Sequence, residues 1–149
     1  MGVAVERAQR GLFRQYLAQQ GLKFTSQRRA IAEVFFEASD HSSLTELLDL
    51  AKRRQPSIGY ATVYRTMKLM AESGLAAAHK FVEGQEACYE PAVAGEHHDH
   101  LICTGCRKII EFEDDEIEKR QETIARLYGF DVTSHRHEIY GVCPDCRKP

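Results

Sequence analysis

The 149-residue chain has no long apolar run, and its start lacks a charged segment followed by an apolar one. A membrane-spanning helix and a secretory leader are therefore excluded as readings, and a soluble cytoplasmic protein with no membrane partner is the expectation. Internal repeats and low-complexity tracts are also missing. So is any marked excess of positive charge: the formal net charge is −2. Residues 1–91 hold 12 Lys and Arg against 10 Asp and Glu (+2), and residues 92–149 hold 8 against 12 (−4). An asymmetry this mild supports a nucleic-acid-facing first half only weakly. Five cysteines are an odd count for a disulfide framework, and four of them fall into CxxC pairs, which favours metal binding.

Periodicity divides what is present. Val5–Gln20 carries Leu12, Phe13, Tyr16 and Leu17 at helical spacing and stops at Gly21. A second helix starts at Thr25 or Ser26 and buries Ile31, Val34 and Phe35. Ser43-Leu-Thr-Glu46 is a capping-box pattern that opens a third helix with Leu44, Leu47, Leu48 and Ala51 inward, ending at Gln55-Pro56. A fourth follows Gly59, buries Val63, Met67 and Met70, and closes at Gly74. Leu75–Phe81 and Glu86–Glu90 then flank Glu83-Gly-Gln85 as a hairpin. The fold class is α+β: a winged helix-turn-helix over residues 1–91, a hinge at 92–96, and a second α/β domain over 97–149. In that second domain Lys108–Phe112 and Asp131–Tyr140 read as strands, with a helix over Asp114–Tyr128 between them.

Cys103-Thr-Gly-Cys106 and Cys143-Pro-Asp-Cys146 supply four thiols, the donor set of a closed tetrahedral zinc site. The 36 residues between the pairs exceed the spacing of a compact zinc ribbon, so the intervening helix and strands must return the second pair to the first. A redox dithiol is the alternative for a single CxxC. Cys88 stands apart and reads as a small core residue. His97-His-Asp-His100, Glu111, Glu118 and His135 add imidazoles and carboxylates, which suit a harder, more exchangeable metal. In an extended segment, alternation turns His98 and His100 one way and His97 and Asp99 the other.

Gly21-Leu-Lys-Phe-Thr25, Gly59-Tyr-Ala-Thr-Val-Tyr-Arg65, His97-His-Asp-His-Leu-Ile-Cys103 and Ile109-Ile-Glu-Phe112 occur in this order. Together they resemble the ferric uptake regulator family over nearly the whole chain. The resemblance implies a metal-dependent repressor of metal-uptake genes, in which the second domain mediates dimerisation and Cys103, Cys106, Cys143 and Cys146 hold a structural Zn2+. It implies a regulatory site joining the two domains, with ligands His41, Glu90, His98, His100 and Glu111. Fe2+ is its expected occupant, replaceable by Mn2+, Co2+ or Zn2+. His97, Asp99, Glu118 and His135 correspond to an additional site in the dimerisation domain. The implied partners are double-stranded DNA with an AT-rich palindromic operator, and a second copy of the chain, with tetramers left open. Tyr64 would touch thymine, Arg65 the backbone and Lys23 a minor groove, with Arg28 on a phosphate.

A zinc-uptake regulator of the same family is the alternative, because Cys88 lies two residues before Glu90 on the same strand face. A metallohydrolase is the remote one. Neither a Gly-rich loop nor a nucleophile motif accompanies the metal donors, and water activation would need an open coordination position and a substrate pocket. His79 and His137 have no partner assigned by the sequence. Lys52-Arg-Arg54 reads as ordinary solvated charge.

Overall fold

A computed structural model describes residues 3–38, 41–81, 83–92 and 97–147, with side chains described from residue 6 onward. The chain divides into two compact units, Met1–Ala94 and Gly95–Pro149. Of the expected hinge at 92–96, residues 93–96 lie outside the described residues.

The first unit runs α1 (Val3–Gln19), α2 (Ser26–Ala38), β1 (Ser42–Ser43), α3 (Leu44–Arg54), α4 (Tyr60–Glu72), β2 (Ala76–His79) and β3 (Cys88–Pro91). Its core is formed by Phe13 and Leu17 of α1, Ile31, Val34, Phe35 and Phe36 of α2, Leu44, Leu47 and Ala51 of α3, and Val63, Met67 and Met70 of α4. These recur every three or four residues, so each helix buries a single stripe and leaves its other face to solvent. Leu12 is the exception in its stripe, at 54% exposed. Gly21 and Gly74 take φ near +70° (+69° and +75°), a left-handed turn that stops α1 and α4 and that a side chain would disfavour.

Ser43 and Glu46 form the reciprocal cap foreseen from the sequence. The Glu46 amide donates to Ser43 Oγ at 3.2 Å, and the Ser43 amide donates to Glu46 Oε2 at 2.8 Å. Charged side chains tie the helices together around Glu33, which accepts from Arg10 at 2.6 Å and from Arg54 at 3.1 Å; Arg54 also pairs with Glu37. Arg54 is thus a clamp between α2 and α3 rather than a solvated charge. The strands form an antiparallel sheet in the order β1-β3-β2, the wing beside the helix-turn-helix. The two-residue β1 had no sequence signature and exists because Ser42 and Ser43 pair with Tyr89 and Cys88. Cys88 is half-buried, not a closed core position.

The second unit runs β4 (Asp99–Cys103), β5 (Ile109–Phe112), α5 (Asp115–Leu127), β6 (Glu138–Gly141) and α6 (Pro144–Arg147). Its sheet has the order β5-β4-β6, with β4 antiparallel to β5 and parallel to β6. Asp114 caps α5 by accepting from the Glu116 and Ile117 amides, and Asp115, Glu116 and Glu118 place negative charge at the positive end of the helix dipole. The strand expected over Asp131–Tyr140 is shorter, covering only Glu138–Gly141. Residues 131–137 before it include the β-branched Val132 and Thr133 but are not strand, and propensity alone does not make one. Val132, in that stretch, is half exposed.

Ser43→Ala removes the hydroxyl half of the capping box, the acceptor of the Glu46 amide, and leaves the Ser43 amide bonded to Glu46. It should cost about 1 kcal/mol, read as a lower urea midpoint for the helical signal with metal content unchanged.

Candidate metal centres and nucleic-acid interface

The C-terminal end of β4, the turn after it and the segment after β6 bring the four thiols together. Cys106 Sγ and Cys143 Sγ are 3.7 Å apart, and the four sulfurs all lie within 4.8 Å of one another. Four sulfurs at the usual Zn–S length of about 2.3 Å from one ion stand roughly 3.8 Å apart, whereas a disulfide needs about 2.05 Å. The geometry fits zinc. Backbone amides of Cys106 (3.5 Å) and Cys143 (3.3 Å) donate to Cys103 Sγ. These bonds favour the thiolate and lower the Cys103 pKa to about 6. The Cys146 thiol moves upward, because its hydrogen bonds with Cys143, Cys106 and Cys103 hold the proton. Gly105 packs tightly: a Cβ there would stand 3.0 Å from Cys146 Sγ and 3.2 Å from its Cβ, so the Cys146 side chain would have to give way by a few tenths of an ångström.

The opposite end of the same sheet gathers oxygen and nitrogen donors. Asp99 is 1% exposed. His97 Nε2 lies 3.1 Å from Asp99 Oδ1 and 3.4 Å from Glu118 Oε1, and His135 Nε2 lies 3.1 Å from the same Glu118 oxygen. The His97 and His135 rings meet edge to face at 4.0 Å. One atom from each of the four residues fits within a 4.8 Å span. Two imidazoles and two carboxylates at this range suit a first-row divalent cation. Glu118, which could have been a solvated helix residue, faces the two histidines.

Alternation places a different set on the other face of that sheet. His100 is buried, and strand register sets it between Glu111 of β5 and Glu138 of β6. His98 Nδ1 is 3.3 Å from Glu113 Oε1. In the first unit, Glu90 of β3 is gripped from both sides. His41 Nε2 lies 3.1 Å from Glu90 Oε2, and His79 Nε2 lies 2.6 Å from Glu90 Oε1. Burial works to raise the Glu90 pKa, but the hydrogen bonds from His41 and His79 outweigh it and hold the carboxyl well below its usual range. Sequence reasoning missed His79. The signal available was strand register: in the hairpin His79 sits opposite Cys88 and Ala77 opposite Glu90, so His79 and Glu90 are diagonal neighbours on one face.

The face of α4 opposite its buried stripe presents Tyr60, Tyr64, Arg65 and Lys68 to solvent. Tyr64 is 48% exposed, a large aromatic left uncovered on a helix of the right size for a major groove. Tyr60 donates to Glu86 Oε1 at 2.9 Å, and Thr45 donates to Glu86 Oε2 at 3.0 Å, so one wing carboxylate fixes the start of α4 against α3. Lys23 is exposed in the loop before α2, and Arg28 Nη1 donates to its carbonyl at 2.5 Å. The Arg28 guanidinium therefore braces the Lys23 loop.

Two outcomes follow from the thiol geometry. Gly105→Ala should lower zinc retention against a chelator, since the Cys146 side chain would be displaced from its place among the four sulfurs; equal retention contradicts the packing argument. The lowered Cys103 pKa means that its thiolate persists above about 6 and protonates as pH falls through that value. The stabilisation it contributes is fully present above the ordinary thiol value of 9.0 and is lost as pH drops from there towards 6. Ultraviolet thiolate absorbance of the reduced, zinc-free protein should show one step near pH 6, which Cys103→Ser removes.

Residues 19–140 match the model of the ferric uptake regulator family. The ferric uptake regulation protein of Campylobacter jejuni subsp. jejuni serotype O:2 is 40% identical over 136 residues, covering 90% of this chain and 85% of that protein. The structure of the Helicobacter pylori ferric uptake regulator Fur, described as revealing three functional metal-binding sites, superposes with a TM-score of 0.89. Its identity is 28%, over 97% of this chain and 95% of that one. The ferric uptake regulator of Francisella tularensis, solved with iron, gives a TM-score of 0.79 at 32% identity, over 86% and 96% of the two chains. A metal-responsive, DNA-binding and dimeric regulator accounts for these likenesses where an enzyme does not, and the chain belongs to the ferric uptake regulator family.

Proposed function

We propose that this chain is an Fe2+-responsive repressor that binds AT-rich palindromic operators of metal-uptake genes in the cytoplasm. One observation supports this most: the thiols of the two CxxC pairs are grouped together, leaving only imidazoles and carboxylates in the other donor sets. The regulatory ligands would be His41 and Glu90 of the first unit with His98, His100 and Glu111 of the second. Cys103, Cys106, Cys143 and Cys146 would keep a Zn2+ permanently. The additional site would be His97, Asp99, Glu118 and His135. The first unit would bind DNA and the second would dimerise.

Bound at the regulatory residues, a divalent cation would supply the positive charge that lets acidic and imidazole side chains converge. His41 and Glu90 tie that convergence to the wing, because Glu90 lies on β3 and His41 precedes β1. In the dimer, two copies of α4 would then read the two half-sites of a palindrome. Tyr64 would contact a thymine methyl, Arg65 and Arg28 phosphates, and Lys23 a minor groove. Among the described residues no helix is long and apolar enough to cross a membrane.

A zinc-uptake regulator is the second reading, favoured by Cys88, which lies opposite His79 in the hairpin and two residues from Glu90. Metal titration separates the two. Gel shifts on an AT-rich palindrome should appear with Fe(II) or Mn(II) and vanish with chelator. Activation by zinc at far lower free concentration than iron would overturn the iron reading. Operator and metal should strengthen each other's binding by the same factor, about 5- to 150-fold. Arg65→Ala should lower affinity uniformly across sequences and reduce the salt slope by about one. Tyr64→Ala should instead relax the preference for thymine.

A further inference from the structure

His137 has no part in the donor sets above, yet the sheet holds it against one of them. The backbone amide of His100 donates to the His137 carbonyl at 3.2 Å, extending the β4–β6 pairing one residue beyond β6. In parallel register His100 lies beside Glu138, so the next position sets His137 beside Asp99 on the same face. His135 is two residues earlier and reaches Glu118. Phe112, opposite Asp99 on β5, meets the His137 ring edge-on at 6.1 Å.

Asp99 divides its two oxygens. Oδ1 faces His97 in the four-residue cluster. Oδ2 is buried and has no hydrogen bond, and His137 Nδ1, also buried and without one, stands 3.7 Å away. Two complementary orphan groups side by side are unusual in a folded interior, where nearly all such atoms are paired. A modest torsional adjustment of either side chain brings 3.7 Å to the usual N–H···O length of about 2.9 Å. Packing against Phe112 does not require a nitrogen aimed at the carboxylate; an aliphatic side chain would fill that space.

We propose that His137 is a positioning residue for a divalent-cation site formed by His97, Asp99, Glu118 and His135: its Nδ1–H holds Asp99 Oδ2, leaving Oδ1 directed at the cation. This rests on the reading of those four residues as a metal site. Carboxylates that ligate metals are themselves hydrogen-bonded, and removing such a partner typically weakens binding 10- to 100-fold. The Asp99–His137 pair also links the site to β6, the strand that leads to Cys143.

The test uses the full-length, zinc-loaded protein, with Co(II) binding measured by equilibrium dialysis and by its ligand-field spectrum. His135→Ala defines the binding class that belongs to the cluster; if that variant removes no class, the metal-site reading itself fails. His137→Asn and His137→Gln are then compared. An Asn amide can donate from where Nδ1 sits, whereas a Gln amide reaches to where Nε2 sits. His137→Gln should weaken the His135-dependent class about 10- to 100-fold, with His137→Asn close to the wild type. The ligand-field spectrum at saturation should be the same in all three. Equal affinity in the two variants overturns the role of His137 alone, because folding losses are common to both. A changed spectrum at saturation also overturns it, by making His137 a ligand.

Discussion

The parallel pairing of β4 with β6 governs everything the second unit does. Parallel neighbours cannot be joined by a tight turn, so β5 and α5 form the connection between them. Among the described residues of this unit, Ile102 and Cys103 are the buried apolar side chains, and α5 buries none. Apolar burial of that extent gives little hold on a strand so far along the chain. The hold comes from both ends of the pair. Cys103 and Cys143 meet past one end, and Asp99, His135 and His137 gather at the other. Zinc held by the four sulfurs would stand in for the missing core here.

The same sheet separates its chemistries by face. Asp99, Leu101 and Cys103 point one way, with Phe112 and Ile110 of β5 and Ile139 of β6 abreast of them. His100 points the other way between Glu111 and Glu138. Leu101, Ile110 and Ile139 are each about 40% exposed (39%, 45% and 41%), an apolar row across all three strands of a protein whose family is dimeric. The first unit is built on the opposite principle. Its helices share a dry core, and polar side chains such as Arg54 and Glu33 lock the outside. That rigidity leaves α4 free to present Tyr64 and Arg65 without contributing them to stability.

Local patterns were legible in the sequence. Ser43 and Glu46 announced a helix start, Gly74 a stop, and Val63, Met67 and Met70 the inner face of α4, because caps and stripes depend on residues a few positions apart. Each CxxC announced two thiols able to share a metal for the same reason, whereas the meeting of the two pairs depends on the β4–β6 crossover. What could not be read depends on register between distant strands. His79 finds Glu90 only through the hairpin, His137 finds Asp99 only through the parallel pair, and β1 is a strand only because β3 lies beside it. Residues 131–136 show the converse, since the β-branched Val132 and Thr133 did not make a strand there.

The crossover between β4 and β6 also fixes an order of assembly. Contacts in the helical core of the first unit join neighbours along the chain, and such local structure forms early and fast. The four-sulfur cluster of the second unit cannot close until Cys143 and Cys146 return to Cys103, 40 residues back for the nearer pair. Until then its thiols are open to solvent. Zinc supply during synthesis would then set how long this half remains open to misassembly, and the readiness of the regulator becomes a matter of folding kinetics before it becomes one of its regulatory metal.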